Sequence, residues 1–438
     1  MKNLPKLIFF LLLILYPIFS YLVSAGAEMV PHYVFGVICF LFMLHTILQI
    51  YRAGTNLIIP NYLIFYGLFT AYTIISGMLL TDLEDEMGVQ KYFYTNLHIY
   101  TFLALLIIEN ISFPSKWIAL SAKALGVILV LAATVSVIQI FDPLFFTKSK
   151  YLIQGLSYER IGEYYSSNPD ESTNSVSRLF KGYRTSIFSY INEISVGIDT
   201  IAIFSLLLAY KTKNKAKLAL YVMAAAMVSF LSSARWIMLN FVVVGSQYFW
   251  TQKNKISNSI KYLVYGITLI LFIAVIAYIS GIDLQRFTQD RLLSNSASTR
   301  LLAVEVFLEV FPDNPILGTG GIDTSKMLRL IEGRSSQIHV GYLKLFYYHG
   351  LVGGLLYLGF TYSLLKRLWR RAKFSNYWGG FYAILAFFIA NLTLVELDLF
   401  YPGLILAFIF SNHLYSETQE IPHLVTNRKK GAQSALEY

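Results

Sequence analysis

Residues 300–354 read RLLAVEVFLEVFPDNPILGTGGIDTSKMLRLIEGRSSQIHVGYLKLFYYHGLVGG. The stretch opens on a helix-like run carrying Arg300, Glu305 and Glu309, to which Leu301, Val304, Leu308 and Phe311 give an apolar face. A spacing of five between Arg300 and Glu305 is not that of a helical surface bridge. Pro312, Pro315, Gly318, Gly320 and Gly321 then break the run, a polar segment follows, and an apolar helix resumes at His339. The glycine-rich piece Asn314-Pro-Ile-Leu-Gly-Thr-Gly-Gly321 has neither the spacing nor the lysine of a Walker loop. It reads better as a turn that reverses the chain back onto a bundle. A polar segment of this length, bringing a histidine and arginines to a helix mouth, is where chemistry is expected.

Around this stretch the chain is apolar. Hydrophobic residues make up 56% of the 438 and charged residues 14%, against about 25% charged in an ordinary soluble domain. Apolar runs of membrane-spanning length, roughly 20 residues, recur along it. They predict one all-α, polytopic membrane bundle over 1–438 rather than several soluble domains. The net charge of +10 sits in Lys/Arg clusters between the runs, where membrane anchoring needs it. No nucleic-acid partner is expected. The lone cysteine, Cys39, lies in an apolar run and excludes an intrachain disulfide.

Twelve spans are predicted, at 5–23, 31–51, 60–80, 94–111, 117–141, 186–210, 217–232, 235–250, 260–281, 338–365, 378–395 and 398–416. The first resembles a signal peptide but is nearly a full span, and is taken as a retained helix. With the N-terminus cytoplasmic, the short-loop basic clusters fall on one side, among them Lys211 to Lys217 and Lys366 to Lys373. Two larger extracytoplasmic loops, 142–185 and 282–337, and a cytoplasmic tail, 417–438, follow from this count. The extracytoplasmic side carries arginines that the orientation rule does not require, including Arg178, Arg184, Arg235, Arg300 and Arg329.

Several of these arginines sit among other polar groups. Arg184 precedes Asn192, Glu193 and Asp199 in an otherwise apolar run, and ionisable groups at that depth usually face a cavity or one another. A snorkelling interfacial Arg184 fits the same sequence. Arg235 lies in Phe230-Leu-Ser-Ser-Ala-Arg-Trp236, a turn tight enough to hold it near the bundle interior or stacked beside Trp236. His339 alone is compatible with a structural interfacial role. His349, ten residues on, is about 100° round a regular helix and need not share its face. The acidic run at Asp82 to Glu86 reads as a solvated loop. Neither a Cys/His metal pattern, a G-x-S-x-G elbow nor a dinucleotide fingerprint is present.

In order and sidedness these pieces resemble the bacterial O-antigen ligase and polysaccharide polymerase superfamily (the Wzy and WaaL type). Arg184-Thr-Ser-Ile-Phe-Ser-Tyr-Ile-Asn192 is similar to the family's Arg-to-Asn segment, with Ser186 where Gly is usual and Ile191 where Pro is usual. Ser232-Ser-Ala-Arg235 resembles its Ser-Arg helix start. Arg300, then Asn314-Pro-Ile-Leu-Gly-Thr-Gly320, then His339-x10-Gly350-Leu-Val-Gly353 is the third signature, with Val340 where Asn or Ser is usual. The resemblance covers residues 180 to 365 and the overall topology.

It implies glycosyl transfer outside the cytoplasmic membrane. The donor is an undecaprenyl-pyrophosphate-linked glycan, the acceptor is a second glycan's hydroxyl, and neither metal nor cofactor takes part. Arg184, Arg235 and Arg300, with Asn192 and Arg178, would hold the pyrophosphate and substrate, because bidentate guanidinium contacts suit phosphate oxygens. His339 is the expected base, since a neutral imidazole suits that task near pH 7, with Glu305 and Glu193 as rivals. Expected partners are the two glycans, membrane lipids and a chain-length regulator. The wide divergence, two large loops and aromatic richness favour a polymerase; a ligase, with lipid A–core as acceptor, uses the same donor. A transporter of polyprenyl-linked sugars is disfavoured, because it would spread ionisable residues through the midplane.

Overall fold

A computed structural model describes residues 4, 6–11, 13–14, 30–52, 54, 56–80, 97–141, 193–210, 215–231, 235–251, 296–321, 323–331, 338, 340–395 and 397–434. No strand occurs among them. The helices are α1 (Val30–Arg52), α2 (Asn61–Leu80), α3 (Leu97–Asn110), α4 (Ser115–Phe141), α5 (Glu193–Ala209), α6 (Lys215–Leu231), α7 (Arg235–Thr251), α8 (Ser296–Val310), α9 (Ser325–Ile331), α10 (Gly341–Ser375), α11 (Gly379–Ala390) and α12 (Pro402–Ser434). A short 3-10 turn, Phe311–Asp313, follows α8. The all-helical expectation holds for these residues. Two of the helices, Asn61–Leu80 and Ser115–Ile138, are long and apolar enough to cross a membrane.

The core of the bundle is one apolar cluster joined by close approaches. Tyr66 of α2 lies 4.3 Å, ring to ring, from Phe360 of α10, and Phe69 is edge-on to Tyr357 at 5.2 Å. Gly126 lets α4 meet Tyr221 of α6, and Gly197 lets α5 meet Trp236 and Ile237 of α7. Large side chains also point away from the core into open space, such as Leu41 and Leu48 on α1, Leu68 and Leu79 on α2, and Leu355 on α10. A surface of this kind suits a lipid environment.

Polar contacts sort the helix ends. At one end Lys6 donates to Ser112 O at 3.2 Å, Asn110 brackets Ile58 through its N–H and C=O, and Ser115 donates to Glu417 at 2.6 Å. Glu109 of α3 is gripped there by both Arg367 (2.6 Å) and Arg371 (2.8 Å) of α10, and Tyr62 of α2 donates to it at 2.7 Å. The charge count treats both arginines as loop cations; in the fold Arg371 is buried and both neutralise a buried carboxylate. This basic end lies opposite the end where α2 finishes and α3, α5, α7 and α10 begin.

Three boundaries differ from the sequence reading. Helix α10 does not stop at 365 but runs to Ser375, and it is broken at Gly350 (φ 59°, ψ −165°). Helix α11 ends at Ala390, and residues 391–395 and 397–401 are irregular, with Asn391, Leu394, Asp398, Leu399 and Phe400 buried. Such backbone is tolerated at membrane depth only when packed inside protein. Finally, α12 continues as helix through most of the segment read as a tail. The segments 142–185 and 260–281 and the acidic run Asp82 to Glu86 lie outside the described residues.

The 282–337 segment contains α8 and α9. Leu301, Val304 and Leu308, the apolar face read from the sequence, are 65%, 41% and 66% exposed. The packed face is Ala303, Val306 and Val310, set against Met327, Ile331, Ile338 and Tyr347. Smaller side chains allow the close approach, which leaves the leucines outward. Phe311 is half-buried and stacked on Phe307 at 4.8 Å.

Candidate functional site

Two pieces of the opening stretch, the 314–320 turn and the Gly350 break, are one structure. Pro312 and Pro315 end α8, and Gly318 N–H closes the turn on Asn314 O at 2.9 Å. In an unbroken helix Leu351 and Val352 would donate to Tyr347 O and Tyr348 O. Here those carbonyls accept instead from Thr319 N–H (3.1 Å) and Gly320 N–H (2.9 Å). The freed amides donate to Pro315 O (2.8 Å) and Ile316 O (3.2 Å). The turn is therefore threaded into the break, and four backbone bonds replace two. Gly318 (φ 76°) permits it, since a Cβ there would stand 2.5 Å from both Gly350 N and Tyr348 O. Tyr72 of α2 clamps the turn by donating to Leu317 O at 2.7 Å. The reading of this turn as a chain reversal is correct, but its target is a helix interior rather than a surface.

Over this joint lie α8 and α9. Thr324 N–H donates to Tyr347 Oη at 2.9 Å, Tyr348 donates to Asp323 Oδ1 at 2.9 Å, and Lys326 ties Asp313 (2.9 Å) to Glu309 O (3.0 Å). Arg300 begins this layer half-buried, with its Nε shielded from solvent. Glu305, one of the rival bases, is exposed on the same helix.

The irregular residues after α11, with the first turn of α12, are the other support. Gly341, the first residue of α10, donates to Asn391 O at 3.1 Å, and a Cβ on it would press 2.5 Å from Leu394 O. Tyr342 and Tyr357 of α10 donate to Phe388 O (2.8 Å) and Leu397 O (2.7 Å). Asp398 organises the stretch. Its Oδ1 accepts from Phe400 N–H at 2.7 Å and from the Thr101 hydroxyl of α3. Its Oδ2 lies 3.2 Å from His98 Nδ1, and Tyr66 Oη is 2.8 Å from the same nitrogen. Further along, Gly403 N–H donates to Asp199 Oδ1 of α5 at 2.7 Å, which satisfies an orphan amide at the start of α12. One stretch thus links the starts of α3, α5 and α10.

Of the residues singled out from sequence, Arg178, Arg184, Asn192 and His339 lie outside the described residues. Glu193 and Arg235 are the first residues of α5 and α7, and only their backbone is described. Those two starts are neighbours, because Gly197 packs against Trp236 and Ile237 one turn further in. On the other side of the Gly350 break, Ile338 is fully buried against α8 and α9, and Gly341 is fixed on Asn391. The flanks of His339 are therefore held by two different supports.

Sequence reasoning missed Asp398, His98 and Thr101. The one available signal was an aspartate within an apolar run, which is costly unless partnered. It also missed the setting of His349, buried beside the break and edge-on to Phe69 at 5.5 Å. Asp398→Ala is expected to loosen 391–403 and, through Asn391, the start of α10. Loss of the hydrogen bonds to the charged carboxylate should cost about 1.5–3 kcal/mol of stability. A lower melting temperature in detergent checks this, and a wild-type value would count against an organising role.

Residues 201–358 match the family model described as O-antigen ligase. No curated protein matches the chain. The matched segment begins inside α5 and ends beyond the break in α10, so it contains Arg235, Arg300, the 314–320 turn and His339. It excludes Arg178, Arg184, Asn192 and Glu193.

Proposed function

We propose a membrane glycosyltransferase, a reading supported by the match to O-antigen ligase over residues 201–358 and by the motifs, which fit a ligase- or polymerase-type activity on polysaccharide. In this reading it joins undecaprenyl-pyrophosphate-linked repeat units into a surface polysaccharide such as O-antigen or capsule. The bundle spans the bacterial cytoplasmic membrane with both termini cytoplasmic, and its basic end faces the cytoplasm. The opposite end is the site. The observation that carries the proposal is the convergence at that end of the 314–320 turn, locked into α10, and the segment after α11, which links α3, α5 and α10.

The reaction needs a leaving group, a nucleophile and a base. The acceptor hydroxyl attacks the anomeric carbon, its C–O bond forms, and the bond to pyrophosphate breaks with the electron pair leaving on phosphate oxygen. Arg184, Arg235 and Arg300, with Arg178 and Asn192, stabilise that growing charge by charge-assisted hydrogen bonds. So good a leaving group requires no acid and, with arginines present, no metal in this scheme. His339 accepts the hydroxyl proton, with Glu193 and Glu305 the alternatives. Direct displacement inverts the anomeric configuration.

Purified protein given only polyprenyl-linked repeat units is the test. A ladder of lengths supports the polymerase; reaction only on adding lipid A–core means a ligase; no reaction with either favours transport. His339→Ala and Arg300→Ala are expected to lower transfer by at least about a hundredfold, the scale of a lost general base or a lost transition-state charge contact. Normal polymer from both folded variants would sink the mechanism.

A further inference from the structure

We propose that α8 and the 314–318 turn lie in the outer leaflet of the bilayer, with Leu301, Val304, Leu308, Ile316 and Leu317 against lipid acyl chains. The segment would then not be a water-exposed loop. The proposal rests on the membrane-spanning reading above and adds to it a lipid-contacting element that hydropathy does not predict.

Three observations carry it. The first is depth. Lys366 and Arg367 mark the basic end of α10, and about 20 helical residues cover the hydrocarbon core. Counting back from Lys366 reaches residue 346, which puts Gly350 about one turn inside the core on the opposite side. The turn threaded into that break is at the same depth. Gly320 agrees, because it packs against Ser76 O and Leu80 in the last turns of α2, itself 20 residues long.

The second is continuity. Ile316 and Leu317 are 61% and 50% exposed, and Ile316 O accepts from Val352 N–H. They stand beside the exposed Leu351, Val352 and Leu355 of α10, so one apolar surface runs from that helix onto the turn. The irregular backbone at this depth has its polar groups taken up by the helix break, the condition for such backbone within a bilayer.

The third is the pattern on α8. At about 100° per residue, Leu301, Val304 and Leu308 fall within about 60° of arc, and Glu305 and Glu309 lie on the next strip. Both glutamates are exposed. An apolar stripe bordered by charge is the signature of a helix lying in the membrane interface. A solvated helix would not turn its largest apolar residues outward and its alanine inward. Anchored this way, α8 would hold Arg300 at the height where a polyprenyl pyrophosphate meets the membrane surface.

Single cysteines test the placement in the full chain, with Cys39→Ala removing the native thiol. An environment-sensitive fluorophore is attached at Leu308→Cys, Ile316→Cys, Glu309→Cys and, on the outward flank of α2, Leu68→Cys. The protein is reconstituted in phosphatidylcholine and phosphatidylglycerol vesicles, which contain no polyprenyl lipid. We expect blue-shifted emission at Leu308→Cys and Ile316→Cys, lost in brominated lipid as at Leu68→Cys. At Glu309→Cys, aqueous iodide should quench instead. Iodide quenching at Leu308→Cys and Ile316→Cys, with Leu68→Cys still lipid-quenched, overturns the proposal alone. Shielding of both positions from both quenchers also overturns it, and assigns the face to a second protein copy. Iodide quenching at Leu68→Cys removes the spanning reading and this proposal together.

Discussion

Gly350→Ala should leave a folded protein in which the proposed glycosyl transfer falls by about tenfold to a hundredfold, measured as product formed from lipid-linked repeat units. The residue sits at φ 59° and ψ −165°, a region that costs a non-glycine residue about 1–3 kcal/mol. A Cβ there would also run into Ile316 O and C and stand 2.6 Å from Gly318 N. All three are backbone atoms, which cannot swing aside. The helix has an alternative, however. Once the turn leaves, Leu351 and Val352 can donate to Tyr347 O and Tyr348 O and close α10 into an uninterrupted helix. The variant is therefore expected to release the turn, with two helical bonds in place of the four at the joint, rather than unfold. Borne by the threaded state, that strain lowers its population relative to the released state by about the factor given above, at about 1.36 kcal/mol per tenfold. Gly318→Ala attacks the same joint from the other side and should behave alike. A fully active Gly350→Ala protein would mean that the threaded turn is irrelevant to transfer.

The second large effect is expected at the other end of the bundle, on stability. Glu109→Ala strands Arg367 and Arg371, the latter 7% exposed, and deprives Tyr62 of its acceptor. Removing one partner of a buried ion pair costs about 3–5 kcal/mol. The apparent melting temperature in detergent should fall sharply. Replacing all three charges, Glu109→Leu with Arg367→Leu and Arg371→Met, should recover most of the loss, because no uncompensated charge then remains. Arg371 lies about 30 Å along α10 from the break at Gly350, so activity per folded molecule should stay near wild type. Failure of the triple variant to recover would show that the arginines are needed for more than neutralising Glu109.

That the described residues are helical, roughly where most of their helices lie and which motifs follow one another were legible in the sequence. Apolar run length, Lys/Arg clusters and proline and glycine positions are local quantities, and each is set by a few adjacent residues. The order of Arg235, Arg300, the 314–320 turn and His339 was equally legible, and it falls within the O-antigen ligase match.

What only the tertiary structure decided is which of these pieces touch. The turn at 314–320 and the glycine at 350 are each ordinary breakers by themselves; their pairing appears only as four backbone bonds between them. The stripe on α8 reads as a packing face until close approach selects Ala303, Val306 and Val310 instead. His98 and Asp398, like Glu109 and Arg371, meet across hundreds of residues. Hydropathy and charge place a residue at a depth and on a side. Many pairings satisfy that placement, and only packing and the need to partner each buried polar group choose among them.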